Sequence, residues 1–288
     1  MITLKEHAYA KLNLTLDVLC KRPDSYHDLE SVMQAVSLQD EIEIDVGTGR
    51  PWKLCCDSEG IPLDEKNLAW KAAAKFFDSI GESPNGWEIR IIKRIPSEAG
   101  LGGGSADAAA VLRALNRCYG DPLSIEALAD LGATVGSDVP FCVYSCTAMV
   151  KGRGEKLHKL ADMPSCWFVI CKPYFSSSTP ELYRKLDDAG IDLRPDNEQM
   201  VRALRSADLY KIARLISNVF DPIVSVDHRE IEEIKLLMQH CGAIGQQMTG
   251  SGSAVFGVFT DLDMASAAQK SLMSMYDQVY IAKPVVCP

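Results

Sequence analysis

The stretch Pro96-Ser-Glu-Ala-Gly-Leu-Gly-Gly-Gly-Ser-Ala-Asp-Ala-Ala-Ala110 sets four glycines, Gly100, Gly102, Gly103 and Gly104, in front of an alanine-rich run. Glycine is the costliest residue to order on folding, so such a cluster implies that bare backbone is needed there. The run from Ser105 to Asn116 reads as a helix. Two readings of the loop follow. In one, consecutive glycine N–H groups and the unpaired N–H groups at the helix start converge on an anion, helped by the helix dipole. In the other, the loop is tight so that the helix can lie close to a strand. Four glycines in five positions favour the anion, and a di- or triphosphate suits the size of the cradle. Ser105 adds a hydroxyl able to meet a phosphate oxygen or the shell of a Mg²⁺ ion. The loop is neither a P-loop, since no Gly-Lys-Ser/Thr follows, nor a Rossmann fingerprint, since Ser105 stands where the last glycine belongs.

Phosphoryl transfer also needs an acceptor hydroxyl, a group to take or orient its proton, and positive charge near the transferred group. Two segments offer these. Ala10-Lys-Leu-Asn-Leu14 puts Lys11 and Asn13 on one face of an apolar strand, and Gly136-Ser-Asp138 precedes an apolar run. Taken singly, Lys11 reads equally as a solvated edge residue and Asp138 as a turn or cap.

Outward from these segments, strands are expected over 9–19, 40–46, 87–92, 148–151, 167–171 and 278–281. Helices are expected over 67–77, 105–116 and 125–131, from Thr179, several times between Asn197 and His240, and over 264–273. A second glycine turn, Met248-Thr-Gly-Ser-Gly-Ser-Ala-Val-Phe256, runs into a strand. Strands fall early and helices late without βαβ alternation, so the expected class is α+β. The expected division is 1–158 and 159–288. The chain has 288 residues, 47% hydrophobic and 24% charged, with net charge −9, which argues against a nucleic-acid partner. No apolar run is long enough for a bilayer. The start shows no basic-then-apolar pattern, so a cytoplasmic protein is expected. The ten cysteines lack CxxC spacing and read as reduced thiols.

Together these segments resemble the GHMP kinases. The closer match is to the branch whose substrate is a cytidine diphosphate-linked methylerythritol. It is carried by Ala10–Leu14, Lys21-Arg-Pro-Asp-Ser-Tyr-His-Asp-Leu-Glu-Ser-Val32, Lys93-Arg-Ile-Pro96 with the loop, Leu131-Gly-Ala-Thr-Val-Gly-Ser-Asp-Val-Pro140, and the C-terminal glycine turn. The resemblance implies a two-domain α+β fold with the active site in the interdomain cleft. It implies ATP with Mg²⁺ and phosphorylation of the 2-hydroxyl of CDP-methylerythritol. Asp138 matches the proton-accepting aspartate and Lys11 the lysine that steadies developing charge. Asn67 matches a position near adenine. Pro96, Gly100, Leu101, Gly102, Gly103, Gly104 and Ser105 match the ATP-phosphate loop. Tyr26, His27 and Tyr183 match the cytosine site, with Asn13 and Lys93 as further substrate contacts. No metal ligands are assigned. The chain departs from the pattern at Tyr9 (usually proline), Ser25 (glycine), Ala106 (serine) and Thr249 (serine). The competing expectations are a kinase of the homoserine or mevalonate type and a silent nucleotide-binding homologue.

Overall fold

The computed structural model describes residues 2–24, 26–191 and 193–286. In chain order the elements begin β1 (Ile2–Lys21), β2 (His27–Val46), β3 (Lys53–Cys56), α1 (Leu68–Ile80), β4 (Trp87–Ile92), α2 (Gly103–Cys118), α3 (Ile125–Ala133) and α4 (Val139–Tyr144). They continue β5 (Thr147–Gly152), β6 (Lys156–Lys159), β7 (Trp167–Lys172), α5 (Thr179–Ala189), α6 (Asn197–Arg205), α7 (Leu209–Leu215) and β8 (Ser217–Asn218). The chain closes with α8 (Asp221–Asp227), α9 (Glu230–His240), β9 (Gly245–Met248), β10 (Val255–Phe259), α10 (Leu262–Leu272) and β11 (Gln278–Ala282). No helix among the described residues is long and apolar enough to cross a membrane.

The chain forms two compact units built from interleaved segments. Unit 1 comprises Met1–Ala10, Gln39–Ile95 and Gly102–Ser145, and unit 2 comprises Lys11–Leu38, Pro96–Leu101 and Cys146–Pro288. The long strands β1 and β2 each contribute one half to either unit.

In unit 1 the strand order is β3-β4-β2-β1. β2 runs antiparallel to β4 from Glu41↔Ile92 to Val46↔Trp87, and β3 is parallel to β4. Ile42, Ile44, Ile89 and Ile91 point one way and are buried, as period-two alternation requires. α1 and α2 pack together, with Phe76 and Phe77 of α1 and Ala108 to Leu112 of α2 fully enclosed. The small alanines let the helices approach closely.

In unit 2 the first half of β2 pairs antiparallel with β5, from Leu29↔Gly152 to Gln34↔Thr147, and β1 pairs with β8 in parallel. A second sheet has the order β11-β7-β10-β9 and is antiparallel throughout. Its buried residues join those of α5, α8, α9 and α10 in one core that includes Val169, Phe220, Ile231, Val255 and Phe259.

The expected helices and strands are present; β1, β2 and α2 extend beyond their expected bounds, β4 matches them, and α1 starts and α10 ends one residue inside them. β3, α4, β6 and the first half of β2 carried no sequence signal. In β2 the run Val32-Met-Gln-Ala-Val36 is buried at every position, so no alternation marks it as a strand.

Candidate active site

In unit 1 three expected positions meet at helix starts. Asn67 is the N-cap of α1; its side chain accepts from Ala69 N at 2.8 Å and donates to the Pro62 carbonyl at 2.8 Å. Gly102 is the N-cap of α2 with φ 72°, a left-handed conformation that suits glycine. Its two successors open the helix, so the backbone N–H groups of Gly103, Gly104 and Ser105 belong to the first turn and have no partner within α2. A Cβ on Gly104 would find only Leu68 Cδ1, at an ordinary 3.7 Å. Packing therefore does not demand glycine there. A Cβ on Gly136 would lie 3.6 Å from Leu68 and 3.9 Å from Ser105 Oγ, which puts the loop before Asp138 beside the start of α2. Asp138 is the N-cap residue of α4, yet its carboxylate makes no cap bond to that helix. The cap reading of Asp138 thus does not account for the side chain.

Beneath the first turn of α2 lies a charge cluster. The Lys93 ammonium pairs with Asp40 Oδ2 and, at 2.9 Å, with Asp107 Oδ2. The second Asp40 oxygen accepts from the backbone N–H groups of Arg94 and Ile95. Asp40 and Asp107 are both buried. Burial pushes the Asp107 carboxyl up to about 7; Lys93 opposes the shift and Asp40 adds to it. Burial alone would lower Lys93, but Asp107 and Asp40 outweigh it and hold the lysine above its usual range.

In unit 2 the two glycine turns touch backbone to backbone. Gly100 has φ 74°, and a Cβ on it would stand 2.3 Å from the Thr249 carbonyl oxygen. Ala254 N donates to the Ala99 carbonyl at 3.1 Å, and Lys11 N to the Leu101 carbonyl at 3.0 Å. Pro96 and Leu101 are buried on either side. The buried Lys11 ammonium donates to Asn13 Oδ1 at 2.6 Å, and Asn13 Nδ2 donates to Ser31 Oγ at 2.8 Å. Gly250 leaves room for that ammonium, which lies 3.2 Å from where its Cβ would be. Thr249 keeps the hydroxyl of the usual serine and accepts from Asn13 N at 3.0 Å. Asn218 donates to the Met248 and Gly250 carbonyls at 2.9 and 2.8 Å, holding the turn in shape.

Also in unit 2, the His27 and Tyr183 rings stack with centroids 4.5 Å apart and an 18° tilt, and Tyr183 meets the Phe220 ring edge-on. His27 Nε2 lies 2.8 Å from Asp187 Oδ1, and Lys21 pairs with the other oxygen at 2.6 Å. Lys21 and then His27 hold the Asp187 carboxyl below its usual range. Tyr26 is exposed, with the Arg153 guanidinium 5.3 Å from its ring centre. Ser25, a departure noted in the sequence, lies outside the described residues; Ala106 is buried in α2.

Asn67, Lys93, Gly102, Gly103, Gly104, Ser105 and Asp138 thus belong to unit 1. Lys11, Asn13, Tyr26, His27, Pro96, Gly100, Leu101 and Tyr183 belong to unit 2. The sequence reading missed Asp40, Asp107, Asp187 and Asn218. Asp107 carried a usable signal, a lone carboxylate among Ala106, Ala108, Ala109 and Ala110 on a helix otherwise fit for burial.

Comparison with known proteins gives consistent results. Residues 67–146 match the model for the GHMP kinases N terminal domain, and residues 200–278 that for GHMP kinases C terminal. The chain is 41% identical over 282 residues to the 4-diphosphocytidyl-2-C-methyl-D-erythritol kinase of Exiguobacterium sibiricum, covering 98% of each. A crystal structure of a 4-(cytidine 5'-diphospho)-2C-methyl-D-erythritol kinase superposes with a TM-score of 0.82 at 31% identity, covering 97% of this chain and 98% of that one. The homoserine kinase of Cytophaga hutchinsonii shares the fold, with a TM-score of 0.79 at 20% identity, covering 99% and 95%.

Proposed function

We propose a reaction for a chain that belongs to the GHMP kinases and, within them, to the family of 4-diphosphocytidyl-2-C-methyl-D-erythritol kinases. It transfers the terminal phosphoryl group of ATP to the 2-hydroxyl of 4-diphosphocytidyl-2-C-methyl-D-erythritol, a step in isoprenoid precursor synthesis. The observation that carries the reading is the first turn of α2. There the open N–H groups of Gly103 to Ser105 stand beside Asn67 and the loop leading to Asp138.

The N–H groups of Gly103, Gly104 and Ser105 hold the nucleotide phosphates, with Asn67 beside the adenine. Pro96, Gly100 and Leu101 shape the loop that leads into them. The Ser105 hydroxyl would join the shell of a Mg²⁺ ion, which would neutralise phosphate charge when bound. Asp138 accepts the proton of the 2-hydroxyl as that oxygen attacks. Lys11, held in direction by Asn13, steadies the charge that develops on the transferred group. Tyr26 and Tyr183 supply aromatic faces for cytosine, and His27 reads its polar edge. The polar groups of Asn13 and Lys93 are engaged inside their own units, which favours positioning roles for both. We retain the division 1–158 and 159–288 as the functional one, since the two family matches fall on either side of it.

A melting experiment tests the cytidine reading. A ligand that binds only the folded state stabilises it by about 2.7 kcal/mol at a hundred times its Kd. CDP should raise Tm at concentrations where homoserine and mevalonate have no effect. Protection by either of those alcohols without protection by CDP contradicts the reading.

A further inference from the structure

We infer that Asp187 is a positioning residue that sets base choice: it fixes the proton of the His27 ring on Nε2 and leaves Nδ1 as an acceptor for the exocyclic amino group of cytosine. This role deepens, and rests on, the reading of His27 as a base contact. Lys21, His27, Tyr183 and Asp187 all belong to unit 2. The His27 ring is buried, its side chain 6% exposed, and is held in two ways. Its stack on Tyr183, with centroids 4.5 Å apart and an 18° tilt, sets its plane, and Phe220 braces Tyr183 edge-on. Asp187 Oδ1, 2.8 Å from Nε2, sets its orientation within that plane.

The direction of each hydrogen bond follows from what the groups can do. A lysine ammonium only donates, and an ionised carboxylate only accepts. Lys21 donates to Asp187 Oδ2 at 2.6 Å and, ahead of His27, holds the carboxyl below its usual range. Asp187 is therefore ionised at neutral pH, and His27 Nε2 is the donor to Oδ1. In the neutral imidazole the other nitrogen is then an acceptor, because the bond made by one ring nitrogen decides the state of the other. Nδ1 has no hydrogen-bond partner among the described residues. An acceptor there matches the N4 amino donor of cytosine and opposes the O4 acceptor that uracil carries at the same place.

Asp187→Asn reverses the logic. The amide has one accepting and one donating end, and Lys21 can use only the accepting one. The amide NH₂ then faces His27 Nε2, which must accept, and the ring proton moves to Nδ1. Nδ1 becomes a donor set against the cytosine amino group.

Two measurements on the full chain test this. Proton–nitrogen correlation spectra of the imidazole side chains at pH 8 should show His27 protonated on Nε2 alone in wild type and on Nδ1 in Asp187→Asn. In an ADP-release assay wild type should prefer the CDP-linked substrate to its UDP analogue, and Asp187→Asn should lower that kcat/KM ratio at least about tenfold, through loss of one matched polar contact. A wild-type His27 ring protonated on Nδ1, or on both nitrogens, overturns the inference and needs no variant. So does a wild-type preference that Asp187→Asn retains in full. Equal turnover of the two substrates by wild type overturns the base reading along with it.

Discussion

At the residue scale, the roles proposed for Asp138 and Lys11 give one set of predictions and the raised Asp107 carboxyl another. Asp138→Asn keeps size and hydrogen bonding but cannot accept a proton. Its kcat should fall by at least about 10²-fold with little change in KM for ATP, as steady-state kinetics would read. Near-normal kcat would remove the general-base role. Lys11→Ala should also act mainly on kcat, since in the proposed reaction it removes charge where the transferred group is most anionic. Asp107 makes a separate prediction. Its folded pKa is raised to about 7 above an unfolded value near 4, so its contribution is fully present below about pH 4 and is lost as pH rises through 7. Wild-type Tm should therefore fall between pH 5 and 8 by more than that of Asp107→Asn. Parallel Tm profiles would contradict the buried cluster. Lys11 and Asp138 were ambiguous when taken singly and gained their expected roles only from the family resemblance of the strings around them. Asp40 was legible only as the first residue of an alternating strand. Its burial depends on Lys93, 53 positions later, and no local pattern encodes that partner.

At the element scale, the two readings of the glycine loop fall on different residues. Gly100 serves packing: its positive φ and the Thr249 carbonyl 2.3 Å from its Cβ position exclude a side chain. Gly100→Ala should lower stability by at least about 1–3 kcal/mol in denaturant melts. Gly104 serves the helix end. Gly104→Ala meets nothing closer than 3.7 Å, so the fold should survive while Kd for MgADP rises roughly tenfold, one hindered hydrogen bond being worth about 1–1.5 kcal/mol. The opposite pattern, with Gly104→Ala unfolded and Gly100→Ala unharmed, would reverse the assignment. Elements with a periodic face or a cap, such as β4 and α1, were readable. The first half of β2 was not, because burial of consecutive residues erases the period. β3 and β6 are four residues each, too short for any pattern to rise above composition.

At the scale of the whole molecule, the order of strands and helices was enough for an α+β class, but not for the interleaving of chain segments. The units exchange segments inside β1 and β2, where the sequence shows no linker, so composition could not mark the crossing. Base specificity is a property of the assembled substrate site. Leaving one buried polar group unpaired costs about 1–3 kcal/mol, so the CDP-linked substrate should exceed its UDP analogue roughly 5- to 150-fold in kcat/KM. The central claim is the identity of the phosphoryl acceptor, and a coupled ADP-release assay with one candidate alcohol at a time reads it directly. With Mg²⁺ and ATP, 4-diphosphocytidyl-2-C-methyl-D-erythritol should release one ADP for each molecule phosphorylated, and homoserine and mevalonate none. ADP release with homoserine or mevalonate and none with the cytidine diphosphate substrate would contradict the claim.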